Sequence, residues 1–456
     1  MQSSDEIIFW LIIWVAVIII VPLIRWRRKM AGTGLVFAYL MNFSLLHWFG
    51  ALIYSFPWYD YRLNYLYYPN PRFDVRWIEN GFRLSTYGII AFAAGCLILA
   101  PPLIHLLHPH RKKSAVYLPD PRLPTAYVFT GFILYFVLLP FLNRISTLSA
   151  PLGSGLSLMA TGIGLNLWHA WQLGNKKGFR RWVILSFICL PVFTLLGHGF
   201  MSFGTSALFS IVAFVASFYR PRWKIVIVGI LSVYLGMSLF VTYMRDRTEI
   251  REVIWGGESI SNRVERVRKT VSTIELLNIY NQDQLWRIDS RLNQNKFVGA
   301  AVNWLSDKKE EFAKGKTLID SLAALIPRAI WQGKQIKAGG GDLLTQYSGI
   351  PIGEGTTWEM GQVMEFYVNF GVIGVVAGFL CLGVLITLFD TFAREYLLQG
   401  DWVRFTYWFL PGLSFMQAEN NLLEVTMKMG ASIILVFFLS HFLRRFGGRR
   451  YSALRA

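Results

Sequence analysis

The 456-residue chain carries 45 Lys and Arg against 27 Asp and Glu, a net charge of +18, yet only 16% of its residues are charged and 54% are hydrophobic. An average soluble domain is about 25% charged. Here the apolar residues also run in long blocks, such as the uncharged stretch from Ile7 to Ile24, and a bilayer-spanning helix needs about 20 mostly apolar residues. These features exclude a soluble enzyme, a disordered chain and a disulfide scaffold. The basic residues sit in short clusters between apolar blocks, the pattern of membrane topology rather than of nucleic-acid binding. Cys96, Cys189 and Cys381 all lie inside apolar blocks and read as small buried hydrophobes, with no disulfide or metal-ligand spacing.

Backbone groups in lipid find partners only within the chain itself, so blocks of this length must be helical. The expected fold is an all-α polytopic membrane protein with eleven crossings. They run over residues 7–24, 33–56, 82–107, 125–145, 152–172, 182–198, 204–219, 225–244, 364–389, 404–418 and 422–443. The tenth is short and holds Pro411 and Gly412. Pro101-Pro102 predict a kink or an early stop near the end of the third. The chain divides into residues 1–244 with eight crossings, a large loop over 245–363, and residues 364–456 with three crossings and a basic tail.

Lys and Arg gather in alternate short loops: Arg25 to Lys29, Arg111 to Lys113, Lys176-Lys177 with Arg180-Arg181, and Arg220, Arg222 and Lys224. Arg444, Arg445, Arg449 and Arg450 add to the tail, while the loop after the ninth crossing is mixed in charge. This asymmetry predicts an N-terminus outside and a C-terminus in the cytoplasm. The first block is not a cleaved signal, because its flank Asp5-Glu6 is acidic and the basic residues follow it.

Two outer segments exceed a turn. Residues 57–81 hold Pro57, Trp58, Tyr59, Tyr61, Tyr65, Tyr67, Tyr68 and Trp77, either an interfacial aromatic belt or a stacking surface for sugar rings. Residues 245–363, about 120 of them, are polar and too long for a connection. Within them Asn262 to Leu277 is amphipathic and predicts a helix lying on the bilayer. Arg287 and Arg291 are four apart on one predicted helical face, so two guanidinium forks could take a phosphate or pyrophosphate, or could pair with acids elsewhere in the loop. Asp289 points away from both. Pro327 could fix Arg328 at a defined spot, with Trp331 and Lys334 close by, or these cations could anchor an apolar stretch to headgroups. Gly339-Gly340-Gly341 lacks the spacing and the following Lys of a P-loop and reads as a flexible loop or lid.

As the loop returns to the membrane through Trp358 and Glu359, Glu365 and Asn369 share a helical face, and an acid at such depth needs a partner or a task. His198 lies between Gly197 and Gly199 at the end of the sixth crossing. Glu419-Asn420-Asn421 joins the last two, followed by Glu424 and Lys428 as an i,i+4 pair.

Eleven crossings with one long outer loop, the stretch Arg287 to Asn295, Ile326-Pro327-Arg328 with Trp331 and Lys334, and Glu365-x-Tyr367-x-Asn369-Phe370-Gly371 resemble the bacterial O-antigen and exopolysaccharide polymerases, the Wzy-like family. The resemblance implies a fold related to the GT-C integral-membrane glycosyltransferases. It also implies a polymerase that joins oligosaccharide repeat units carried on undecaprenyl pyrophosphate at the outer face of the inner membrane. No cofactor, nucleotide sugar or metal is implied. Chain-length regulators and export proteins would be accessory partners, alongside the bilayer itself. One departure is that relatives often carry an arginine in the short turn after the sixth crossing, where this chain reads Met201-Ser202-Phe203-Gly204-Thr205 with His198 as the nearest base.

A metal-free pyrophosphate leaving group needs Arg or Lys, which nominates Arg287, Arg291, Arg328 and Lys334. An acceptor hydroxyl benefits from a general base, which nominates Glu365 and Glu419, with Asp289 behind them. Asn369 and His198 complete the expected substrate-binding set. An O-antigen ligase would share donor and fold, and a lipid-linked sugar flippase or transporter is the non-enzymatic alternative. The absence of an internal repeat and the concentration of polarity in one loop disfavour the last.

Overall fold

The computed structural model describes residues 2–30, 32–60, 74–107, 117–142, 146–219, 223–326, 331, 340–351, 358–442 and 449–450. Among them, eight helices are long and apolar enough to cross a membrane. They are α1 (Gln2–Arg27), α2 (Leu35–Ile53), α3 (Val75–Leu107), α4 (Leu123–Leu142), α5 (Leu148–Gln172), α6 (Lys176–His198), α14 (Gln362–Leu398) and α16 (Leu422–Phe442). The other three expected blocks are helical as well: α7 (Ser202–Ala216), α8 (Trp223–Trp255) and the short α15 (Trp402–Leu413). The only described strand pair is Tyr117–Leu118 with Arg449–Arg450. This is the make-up of an all-α membrane protein.

The prolines of α3 do not stop it. A π-helical turn over Gly95–Leu99 sits just before Pro101 and Pro102, and a second over Ile133–Leu138 precedes Pro140 in α4. A proline ring collides with the carbonyl one turn back, and a wider π turn opens the ladder there. The expected boundary at 244 also moves, since α8 continues about three turns further to Trp255.

Aromatic rings fill the core where α1, α2, α3 and α14 meet. Trp14 stacks on Phe43 and Phe82 at 5.2 and 5.4 Å, Tyr39 on Phe92 at 4.7 Å, and Phe379 leans on Phe43 at 5.2 Å. A second cluster, with Tyr135, Leu156, Met159, Leu190 and Ile211, joins α4 to α7. The interhelical turns gather at two ends. At one end Tyr117 N–H donates to Gln399 O at 2.8 Å, and Arg25 meets Asp390 at 2.6 Å. Asp390 is 1% exposed, and its other oxygen accepts from Thr33 N–H, Thr33 Oγ1 and Leu35 N–H.

The other end carries the long segment, folded into α9 (Ile260–Ser272), α10 (Gln282–Leu292), α11 (Asn295–Ser306), α12 (Lys316–Ala324) and α13 (Gly340–Ser348). The segment is docked on the bundle. Gln294 N–H donates to Leu46 O, and His47 Nδ1, Ser85 Oγ and Asn295 Oδ1 form a buried triangle of 2.8–3.1 Å. Tyr54 and Tyr59 hydroxyls donate to Asp289 at 2.9 and 2.8 Å, so this buried acid clamps α10 to the end of α2. The described aromatics of 57–60 are likewise tied down, with Trp58 Nε1 donating to Ile279 O; Tyr61, Tyr65, Tyr67 and Tyr68 lie outside the described residues.

Two expectations are corrected. The amphipathic helix stops at Ser272 rather than Leu277, and Arg266 on it binds Asp246 and Glu249 instead of facing lipid phosphates alone. The glycine run is not all loop, because Gly340 begins α13 and is buried.

Candidate functional site

α14 breaks about two turns after its start. Phe370 and Gly371 leave the helical region, with Gly371 at φ 60 and ψ −146, a conformation essentially reserved for glycine. The short block before the break holds Glu365 and Asn369 on one face, as their spacing predicts. Asn369 ties this block to the start of α12: its Oδ1 accepts from Gly315 N–H at 2.9 Å, and its Nδ2 donates to Thr317 Oγ1 at 2.7 Å. Glu365, 1% exposed, accepts the Leu422 N–H at 2.5 Å, with the Thr317 and Ser321 hydroxyls beside it. Both side chains are engaged in joining the loop, α14 and the start of α16.

The charged side chains collect around this block. Glu424 and Lys428 form the expected i,i+4 pair at 3.0 Å, and their side chains are 27% and 35% exposed. Lys428 also donates to Gln417 at 2.6 Å, and Asn420 donates to Glu424 at 2.6 Å. Glu359 faces Glu424 from the loop side. Burial, then the neighbouring Glu424 charge, push the Glu359 carboxyl up to about 9. Burial also raises Glu419, with Arg291 and Lys428 pulling the other way. Lys296 Nζ donates to Ser290 O at 2.9 Å and lies 4.8 Å from the Trp358 ring; burial lowers its ammonium to about 8.

The two loop arginines have different charged neighbours. Arg287 binds Asp283, four residues earlier on α10, and Glu275 at 3.3 Å. Arg291 instead lies in the field of Glu419 on one side and Arg251 on the other. Arg328 and Lys334 lie outside the described residues, as does the His198 side chain.

Sequence reasoning missed Arg251. The extension of α8 brings it over the turn after α6, where its guanidinium lies 4.7 Å from the Phe200 ring and 5.0 Å from Trp255. The turn that lacks an arginine of its own therefore receives one from another helix. Arg247, Thr248, Arg251, Glu252, Trp255 and Gly256 line a cavity of about 320 Å³, and the buried Arg251 Nε has no protein partner. Phe200 and Phe203 touch at 5.9 Å, and Lys428 lies 5.8 Å from the Phe203 ring. This aromatic pair makes the arginine cavity and the carboxylate cluster neighbours.

A titration follows from Glu359. The folded carboxyl keeps its proton to about pH 9, whereas an unfolded glutamate releases it near 4.3. Its contribution to stability is present at acid pH and is lost as pH rises through 9. In detergent, the thermal midpoint of wild type should fall further than that of Glu359→Gln between roughly pH 5 and 9.5. Parallel curves for the two proteins would refute the shift.

No protein-family model, curated protein or solved structure matches the chain.

Proposed function

We propose that this chain is a polysaccharide polymerase, an eleven-crossing integral-membrane glycosyltransferase that joins undecaprenyl-pyrophosphate-linked oligosaccharide repeats at the outer face of a bacterial inner membrane. The supporting observation is that Phe200 and Phe203 link Arg251 of the arginine cavity to Lys428 of the carboxylate cluster at the loop end. A glycosyl transfer without metal needs fixed cations for the leaving pyrophosphate and a base for the incoming hydroxyl. In this reading Arg251 and Arg247, with Arg291 behind them, take the pyrophosphate oxygens. Arg328 and Lys334 of the same loop remain members of the cationic set. Arg287 holds α10 in place through its two acids.

In the proposed reaction the bond from the anomeric carbon to the pyrophosphate oxygen breaks, and undecaprenyl pyrophosphate leaves with the electron pair. The acceptor hydroxyl oxygen forms the new bond, and its proton passes to a carboxylate. Glu419 is the favoured base: it is partly exposed, its proton affinity is raised by burial, and Arg291 and Lys428 act on it from nearby. Glu365 is already engaged by Leu422 N–H and supports the site from below.

The test is deletion of this chain in its source cells. A polymerase deletion leaves single repeat units on the lipid carrier at the outer leaflet and no long polymer. Long polymer that accumulates on lipid would identify a ligase, and repeats trapped at the inner leaflet would identify a transporter.

A further inference from the structure

Two unpartnered polar atoms lie close together in the carboxylate cluster. Asn421 is 0% exposed, its Oδ1 caps α16 by accepting Glu424 N–H at 2.8 Å, and its Nδ2 has no partner. Glu359 uses one oxygen toward Glu424, while its buried Oε2 has none. Both side chains flank Gly340: a methyl there would come within 2.8 Å of Glu359 Cγ and 3.1 Å of Asn421 Nδ2. They do not bond to each other. An amide donor and a carboxyl oxygen acceptor left side by side in a buried setting carry a full desolvation cost. The partly exposed Glu424 and Lys428 give this corner its open side.

A sugar presents neighbouring ring hydroxyls, each both a donor and an acceptor. From this juxtaposition we infer that Glu359 and Asn421 form the subsite for the acceptor sugar, Asn421 Nδ2 donating to one ring hydroxyl and Glu359 Oε2 accepting from its neighbour. The assignment rests on the transferase reading above and adds to it the place of the incoming, rather than the leaving, sugar. Gly340 is the residue that lets α13 start against both groups, and any side chain there intrudes on them.

The experiment uses the full chain in lipid nanodiscs. The probe is the lipid-free repeat oligosaccharide, released by mild acid from the lipid-linked units of deletion cells, and binding is measured by calorimetry. Wild type binds it. Asn421→Ala and Glu359→Ala each bind about tenfold more weakly, and Gly340→Ala abolishes binding. All three retain undecaprenyl pyrophosphate binding within about twofold, which certifies their fold and separates the two readings. Failure of the oligosaccharide to bind wild type, or equal binding by wild type and variants, overturns the subsite. Failure of undecaprenyl pyrophosphate to bind wild type overturns the donor reading instead.

Discussion

On the proposed polymerase reading, Arg251→Ala is expected to abolish polymer synthesis and to weaken undecaprenyl pyrophosphate binding by about 10- to 100-fold, the equivalent of about 1.5–3 kcal/mol for a charge-assisted contact. Arg251→Lys should fare nearly as badly. Stacking between Phe200 and Trp255 holds a planar guanidinium in a set orientation, and an ammonium keeps the charge but not the fork. Arg247→Ala, on the same cavity wall, should show a smaller loss of the same kind. Binding measured in nanodiscs with undecaprenyl pyrophosphate against undecaprenol reads this directly. Equal affinity in wild type and Arg251→Ala would remove the cavity from the donor site.

Asp390→Ala should give the largest loss of stability. Its carboxylate meets Arg25 at 2.6 Å and accepts three hydrogen bonds from Thr33 and Leu35 across the start of α2. Removing one partner strands a buried guanidinium, a change that costs about 3–5 kcal/mol. A double replacement, Arg25→Leu with Asp390→Leu, should recover part of the loss because no uncompensated charge remains. Thermal unfolding in detergent, followed by the monodisperse fraction, distinguishes the three proteins. A midpoint for Asp390→Ala equal to that of wild type would show that the pair carries no such energy.

The helical blocks were legible because hydropathy needs no tertiary information, and each expected crossing is helix. Of the kink or early stop that the prolines of α3 predicted, the stop does not occur, because a π turn lies upstream of them where nothing in Gly95–Leu99 marks it. Arg287 was legible in part: Asp283 stands four residues before it, the spacing of a helical ion pair. The Glu424–Lys428 pair was read correctly for the same local reason. Arg251 was out of reach, since its contacts with Gly199 and Phe200 join residues about fifty apart in sequence and depend on α8 outrunning its apolar block. Glu359 stood beside Glu365 in the returning segment, but only the fold sets it against Glu424.

The break at Gly371 has a mechanical consequence. Residues 372–398 form a long rod with one face packed on the apolar bundle and the other exposed, while the block before the break is bolted to the loop through Asn369 and the Ala313 N–H to Val368 O bond of 2.8 Å and to the start of α16 through Glu365. Bilayers differ in thickness by a few Å, and a rigid rod answers by tilting. An unbroken helix would transmit that tilt to its tip as a lever does. The joint instead absorbs the rotation in the φ and ψ of Phe370 and Gly371, so the placement of Glu365 against Thr317 and Ser321 is set by the loop rather than by the tilt of the rod.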